Sequence, residues 1–209
     1  TRVDTQGMFK TLRRMWQDYL RSIPQPDDPE PVSDRAIIDA DFRPPPVPAE
    51  QRSAFDALSE LLVAHLPEAK AATKGRQLRS RLKPGVEPAE ALGAWISANN
   101  GPKSRVGVIA LDWKAREEVQ WQAAILCRAH GVALDWTYDA ARDTEWQAWQ
   151  ARDEAPVETP LRSLAQALRP QGIALCRMSV DDGVFAFAVS AAQEAEVRQH
   201  GAVLGIELR

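Results

Sequence analysis

Two identical tetrapeptides, Ala-Leu-Asp-Trp at 110 to 113 and at 133 to 136, place a carboxylate beside an indole twice within one stretch. Two aspartates at the ends of neighbouring strands can share a proton or a cation, so Asp112 and Asp135 form a candidate acid pair for a hydrolase. Aspartate also caps turns and helix starts, and Asp112 directly precedes a helical pattern. No nucleophile or substrate clamp accompanies the pair. A second chemistry is recognition by aromatic rings. Five of the seven tryptophans, Trp113, Trp121, Trp136, Trp146 and Trp149, fall between residues 113 and 149, interleaved with Asp139, Asp143 and Glu145. Tryptophan is enriched at protein interfaces, and acids around it suit a basic partner. The plainer alternative is that these rings cover one end of the core.

The remaining reactive residue types form no recognisable constellation. His65, His130 and His200 each fall in the last turn of an expected helix, where a partial positive charge complements the helix dipole. No paired-histidine or paired-cysteine spacing marks a zinc site, and neither a nucleophile elbow nor a phosphate-cradling glycine loop is present. The sequence therefore predicts no cofactor and no metal. Cys127 and Cys176 occupy a helix and a strand as small apolar residues would, which points to unpaired thiols and a cytoplasmic setting.

The elements that must position the Asp-Trp pairs read as strand, helix, strand. Val106, Val108, Ile109 and Leu111 form an apolar run of strand length, buried on both faces. Ala115 to His130 lacks proline and glycine, carries Val119, Ala123, Leu126 and Ala129 at helical spacing, and stops at Gly131. Val132, Leu134 and Trp136 then alternate as a strand. A right-handed crossover would lay the two strands parallel and bring both Asp-Trp pairs to one carboxyl edge. Asp112, Trp113, Asp135 and Trp136, with Trp146 and Trp149 beside them, are the expected partner-binding surface.

Residues 8 to 21 set Met8, Leu12, Met15, Trp16, Tyr19 and Leu20 on one stripe, an N-terminal amphipathic helix (1–21) able to pair with a second copy. Eight of the fifteen prolines lie between Pro24 and Pro48, which makes 22–47 a linker. The rest, 48–209, reads as one domain with a helical part (48–104) and a sheet part (105–209). Helices are expected from Pro48 to Leu66 and from Ala89 to Ala98. Between them Lys70 to Lys83 holds six basic residues and no acid, with Gly75 weakening a helical pattern that Leu78 and Leu82 support. Trp146 and Trp149 mark a short helix capped by Thr144. Thr159 caps a helix buried through Leu161, Leu164 and Leu168. Ile173 to Val180 and Val184 to Val189 form a hairpin over Asp181-Asp182-Gly183, and Ser190 with Gln193 boxes the start of a helix that ends at Gly201 before a last strand, Val203 to Leu208. Gly107-Val-Ile-Ala-Leu leading to Arg128-Ala-His130-Gly131 is echoed by Gly183-Val-Phe-Ala-Phe leading to Arg198-Gln-His200-Gly201. The expected fold is therefore α+β, a mixed β-sheet with ferredoxin-like βαβ units plus N-terminal helices.

Leu111-Asp-Trp-Lys114 with its helix, and the Gly172 to Val189 hairpin, resemble a bacterial family of uncharacterised proteins over residues 105–209. The Asp181-Asp182-Gly183 turn departs from the Ser-Asp type of that family. The resemblance implies a bacterial cytoplasmic protein of unknown role and transfers no catalytic residue. The net charge of −3 argues against a dedicated nucleic-acid binder, and no apolar run reaches the roughly 20 residues of a membrane span. The expected function is non-enzymatic protein binding, immunity- or adaptor-like, through the acidic tryptophan-rich edge. A small-molecule-binding regulator and a hydrolase using Asp112 and Asp135 are the alternatives.

Overall fold

Proline and burial set the first three helices. Pro48, with its extended backbone, precedes α1 (Ala49–Val63), whose Phe55, Leu58 and Leu62 are buried at three- and four-residue spacing. The one polar residue in that stripe, Ser59, is satisfied because its hydroxyl donates to the Phe55 carbonyl at 2.7 Å. Pro67 opens α2 (Glu68–Arg79), which resolves the ambiguous basic stretch as helix. Only Gly75 and Leu78 of α2 are buried, and a β-carbon at Gly75 would come within 3.7 Å of Val63, so the glycine is a packing face between α1 and α2. In α3 (Pro88–Asn99), Leu92, Trp95 and Ile96 are buried.

The computed structural model describes residues 44–138 and 157–209, which belong to one unit, Pro44–Arg209. The expected N-terminal helix, most of the proline-rich linker and the Trp146–Trp149 helix lie outside the described residues. The sheet contains β1 (Val108–Asp112), β2 (Ile173–Val180) and β3 (Gly183–Ser190) in the order β1-β3-β2, antiparallel throughout. Between β1 and β2 come a 3₁₀ turn at Arg116–Glu118, α4 (Val119–Ala129) and α5 (Glu158–Leu168); α6 (Glu194–Val203) follows the hairpin.

Every strand is buried on both faces, and the alternation is consistent across the register. Ile109, Leu111, Leu175, Val184, Ala186 and Ala188 pack with Val119, Ala123 and Leu126 of α4 and with Leu161, Leu164 and Leu168 of α5. Val108, Ala174, Cys176, Met178, Phe187 and Val189 face the other way, onto α1, α3 and Val197 of α6. The chain is thus an α+β fold with helices on both sides of a small sheet.

The ferredoxin-like βαβ units are not found among the described residues. After α4, residues 132–138 form no strand, so β1 has no parallel partner there. The last segment is likewise not a strand: α6 runs to Val203, and beyond it Arg209 and Arg177 of β2 exchange backbone hydrogen bonds of 3.0 and 2.9 Å while Ile206 and Leu208 join the core on that side. The expected long helix after β1 starts with the 3₁₀ turn and becomes α-helical at Val119. Thr159 lies inside the first turn of α5 rather than before it, and its buried hydroxyl has no hydrogen-bond partner. The Gln193 amide does close on Ser190, accepting from its hydroxyl at 2.7 Å and its amide at 3.3 Å, just ahead of α6.

Candidate functional site

The first Asp-Trp pair is built into a turn. Asp112 ends β1 opposite Gly183, and its Oδ1 accepts the Lys114 amide at 2.9 Å while its carbonyl accepts the Ala115 amide at 2.9 Å. The Trp113 amide donates to the Asp182 carbonyl at 3.1 Å, which ties this turn to the β2–β3 hairpin, and its half-buried ring packs against the α4–α5 core. Lys114 Nζ stands 4.5 Å over that ring, a cation–π contact at the surface. The Asp112 carboxylate therefore closes an Asx-type turn after β1. Asp135 is exposed on the irregular segment after α4, so the two carboxylates do not end neighbouring strands and the acid pair is not assembled in that way.

The second pair lies on residues 132–138, which form no strand or helix among the described residues. Trp136 is half-buried, its Nε1 donates to Ser163 Oγ of α5 at 3.2 Å, and its ring stacks with Tyr138 at 6.5 Å between centroids. Gln120 of α4 holds this backbone, donating to the Trp136 carbonyl at 3.0 Å and accepting the Tyr138 amide at 2.8 Å. Between α4 and this segment is a hollow of about 280 Å³ bordered by Gln120, Ala123, Ala124, Leu134 and Trp136. Trp121 stands one turn before Ala124 on α4 and is 39% exposed, the large apolar side chain left in solvent among the described residues. Glu117 and Glu118, both exposed, immediately precede α4. An indole with acids beside it thus exists at Trp121, one of the five tryptophans of the 113–149 stretch. Trp146 and Trp149 lie outside the described residues.

A second feature escapes sequence reasoning. Two adjoining cavities of about 610 and 570 Å³ run between the start of α2 and the loop from Asn100 to Val106. They are lined by Lys70, Lys74, Lys103, Arg105 and Arg128. Two of these belong to the basic run that the sequence displays, but the others come from a loop and from the end of α4, far along the chain. No local pattern joins them; the signal was the absence of acid between Lys70 and Lys83.

At one end of this cleft the rings of His65 and His130 stack with centroids 3.9 Å apart and an interplanar angle of 24°. Among the described residues the Nε2 atoms of both are buried without a hydrogen-bond partner. Burial lowers the pKa of both, that of His130 to about 4, with a further lowering from its neighbour. His130 does end α4, as the sequence predicts, but as a neutral ring, so the expected charge–dipole complement does not operate there. The thiols are buried and free, and burial pushes Cys176 up to about 11, a poorly nucleophilic setting. Among the described residues no helix is long and apolar enough to cross a membrane.

No curated protein and no solved structure matches this chain. A family model does match, over residues 43–209, which takes in the helical part as well as the sheet. With α1 to α6, the three strands and both surfaces inside that span, the chain belongs to the family described as a domain of unknown function, DUF6630.

Proposed function

We propose that this chain is a non-enzymatic binding protein, adaptor- or immunity-like, whose partner docks on the acidic tryptophan face of α4. The observation that supports this reading is Trp121. An indole that keeps 39% of its surface exposed on an ordered helix has apolar area left to cover, and tryptophans dominate the energy of many protein interfaces. Along 112–121 and 132–138 the exposed carboxylates of Asp112, Glu117, Glu118 and Asp135 outnumber the cations Lys114 and Arg116, which favours a basic partner. Trp113 and Trp136 contribute as half-buried walls whose backbones are tied to the hairpin and to α4, so the surface is organised before binding. Buried, unpaired Cys127 and Cys176 accord with a reducing, cytoplasmic location.

Capture from source cells, identification of the partner by mass spectrometry and titration of the purified pair test the proposal. Trp121→Ala should weaken binding by on the order of 2 kcal/mol, with an unchanged melting temperature because the ring carries little of the core. Unchanged affinity in the folded variant removes this face from the interface.

A further inference from the structure

The cleft between α2 and the 100–106 loop is lined by five cations and by no aspartate or glutamate. The chain as a whole has more acids than bases, 29 against 26, so composition does not produce such a lining. Like charges gathered without counter-charge raise one another's energy, and an anion entering between them relieves it.

The arrangement is also partly set in place. Arg128 Nη2 donates to the Pro102 carbonyl at 3.1 Å, which holds a guanidinium from α4 against the loop. Lys74 Nζ donates to Asn99 Oδ1 at 2.6 Å. Lys70, Lys103 and Arg105 have no ion-pair partner among the described residues. The loop is closed by the Ser104 amide on the Gly101 carbonyl at 2.9 Å, with Ser104 Oγ accepting the Val106 amide at 3.2 Å. His65, whose buried Nε2 has no hydrogen-bond partner among the described residues, borders the same cleft. Leu66, Ala98 and Val106 supply an apolar wall.

We infer that this cleft binds a small phosphorylated molecule, its phosphate groups among Lys70, Lys103, Arg105 and Arg128 and its less polar part against Leu66 and Ala98. Several cations in a confined volume match an oligoanion better than a single carboxylate. Each cavity has the size of a small-ligand site. The net negative charge of the chain disfavours a long polyanion that would extend beyond the cleft. The site shares only Arg128 with the hollow beside Trp136 and stands independently of the tryptophan face.

Calorimetric titration of the full chain with inorganic pyrophosphate and with ADP, at constant ionic strength, is the test. The expected result is saturable binding, weakened about tenfold or more in Lys103→Ala/Arg105→Ala, two exposed loop residues whose loss leaves the melting temperature unchanged. Arg52→Ala/Lys83→Ala removes the same charge from exposed positions outside the cleft and should bind like the parent. Absence of saturation with both probes at about 1 mM overturns the inference, as does equal weakening in the two double variants. Tighter binding of a single-stranded oligonucleotide than of ADP overturns it in favour of nucleic acid.

Discussion

Stacked imidazoles at His65 and His130 show how burial decides the charge of a residue that composition leaves open. In solution each ring titrates near 6.5, but in the fold protonating either one places a cation against its neighbour in a largely dry setting. Because the folded pKa of His130 is depressed to about 4, the native state binds fewer protons than the unfolded chain between about 6.5 and 4. Stability is therefore fully present above 6.5 and declines as pH falls through that window. Urea unfolding at neutral pH and near pH 4.5 should show a loss on the order of 1–3 kcal/mol, part of which His130→Phe abolishes by keeping the stack and removing the titration. An equal loss in the variant would show that other groups carry the acid response. His65 and His130 are far apart in sequence, so periodicity placed each near a helix end but nothing local announced the stack.

At the scale of elements, two glutamines on α4 explain both what was readable and what was not. Gln122 is fully buried, and its amide accepts the Ala110 N–H at 2.9 Å and donates to the Ala110 carbonyl at 3.0 Å, filling the outer edge of β1 as a neighbouring strand would. Gln120 does the same for the backbone at Trp136 and Tyr138. Each segment thus pairs with a side chain of α4 instead of with the other. The alternation of Val132, Leu134 and Trp136 correctly marked which side chains turn inward, since all three pack against the α4–α5 core while Ala133, Asp135 and Thr137 are exposed. Alternation reports which side chains turn inward, not a partner strand, and a strand needs both. By contrast β1, the Asp181-Asp182 hairpin and α1 were legible because apolar runs, turn residues and prolines act locally. Gln122→Leu should cost about 1–3 kcal/mol in chemical denaturation by orphaning the Ala110 N–H, and Gln122→Glu should cost more, because it buries a carboxylate against the Ala110 carbonyl and Glu118. A neutral Gln122→Leu substitution would mean that water replaces the amide.

At the scale of the whole Pro44–Arg209 unit, the three strands of the described residues suffice because both faces of their sheet are covered: α1, α3 and α6 lie on one side, and α4 and α5 on the other. A part-buried ion pair, Arg177 of β2 with Glu158 of α5 at 2.7 Å, fastens the second layer to the sheet edge. This construction leaves two surfaces of opposite sign. The more acidic one, where carboxylates outnumber Lys114 and Arg116, gathers Trp121, the Trp113 turn and the segment after α4; the basic one gathers α2, the 100–106 loop and the end of α4. The central claim is that the acidic tryptophan face meets the protein partner. Amide hydrogen exchange of the chain alone and in complex with the captured partner tests it most directly, because apart from the end of α4 around Arg128 the two surfaces fall on separate backbone segments. Protection confined to residues 112–138 is the predicted result, whereas protection along 68–81 and 100–106 with none at 112–138 would contradict it.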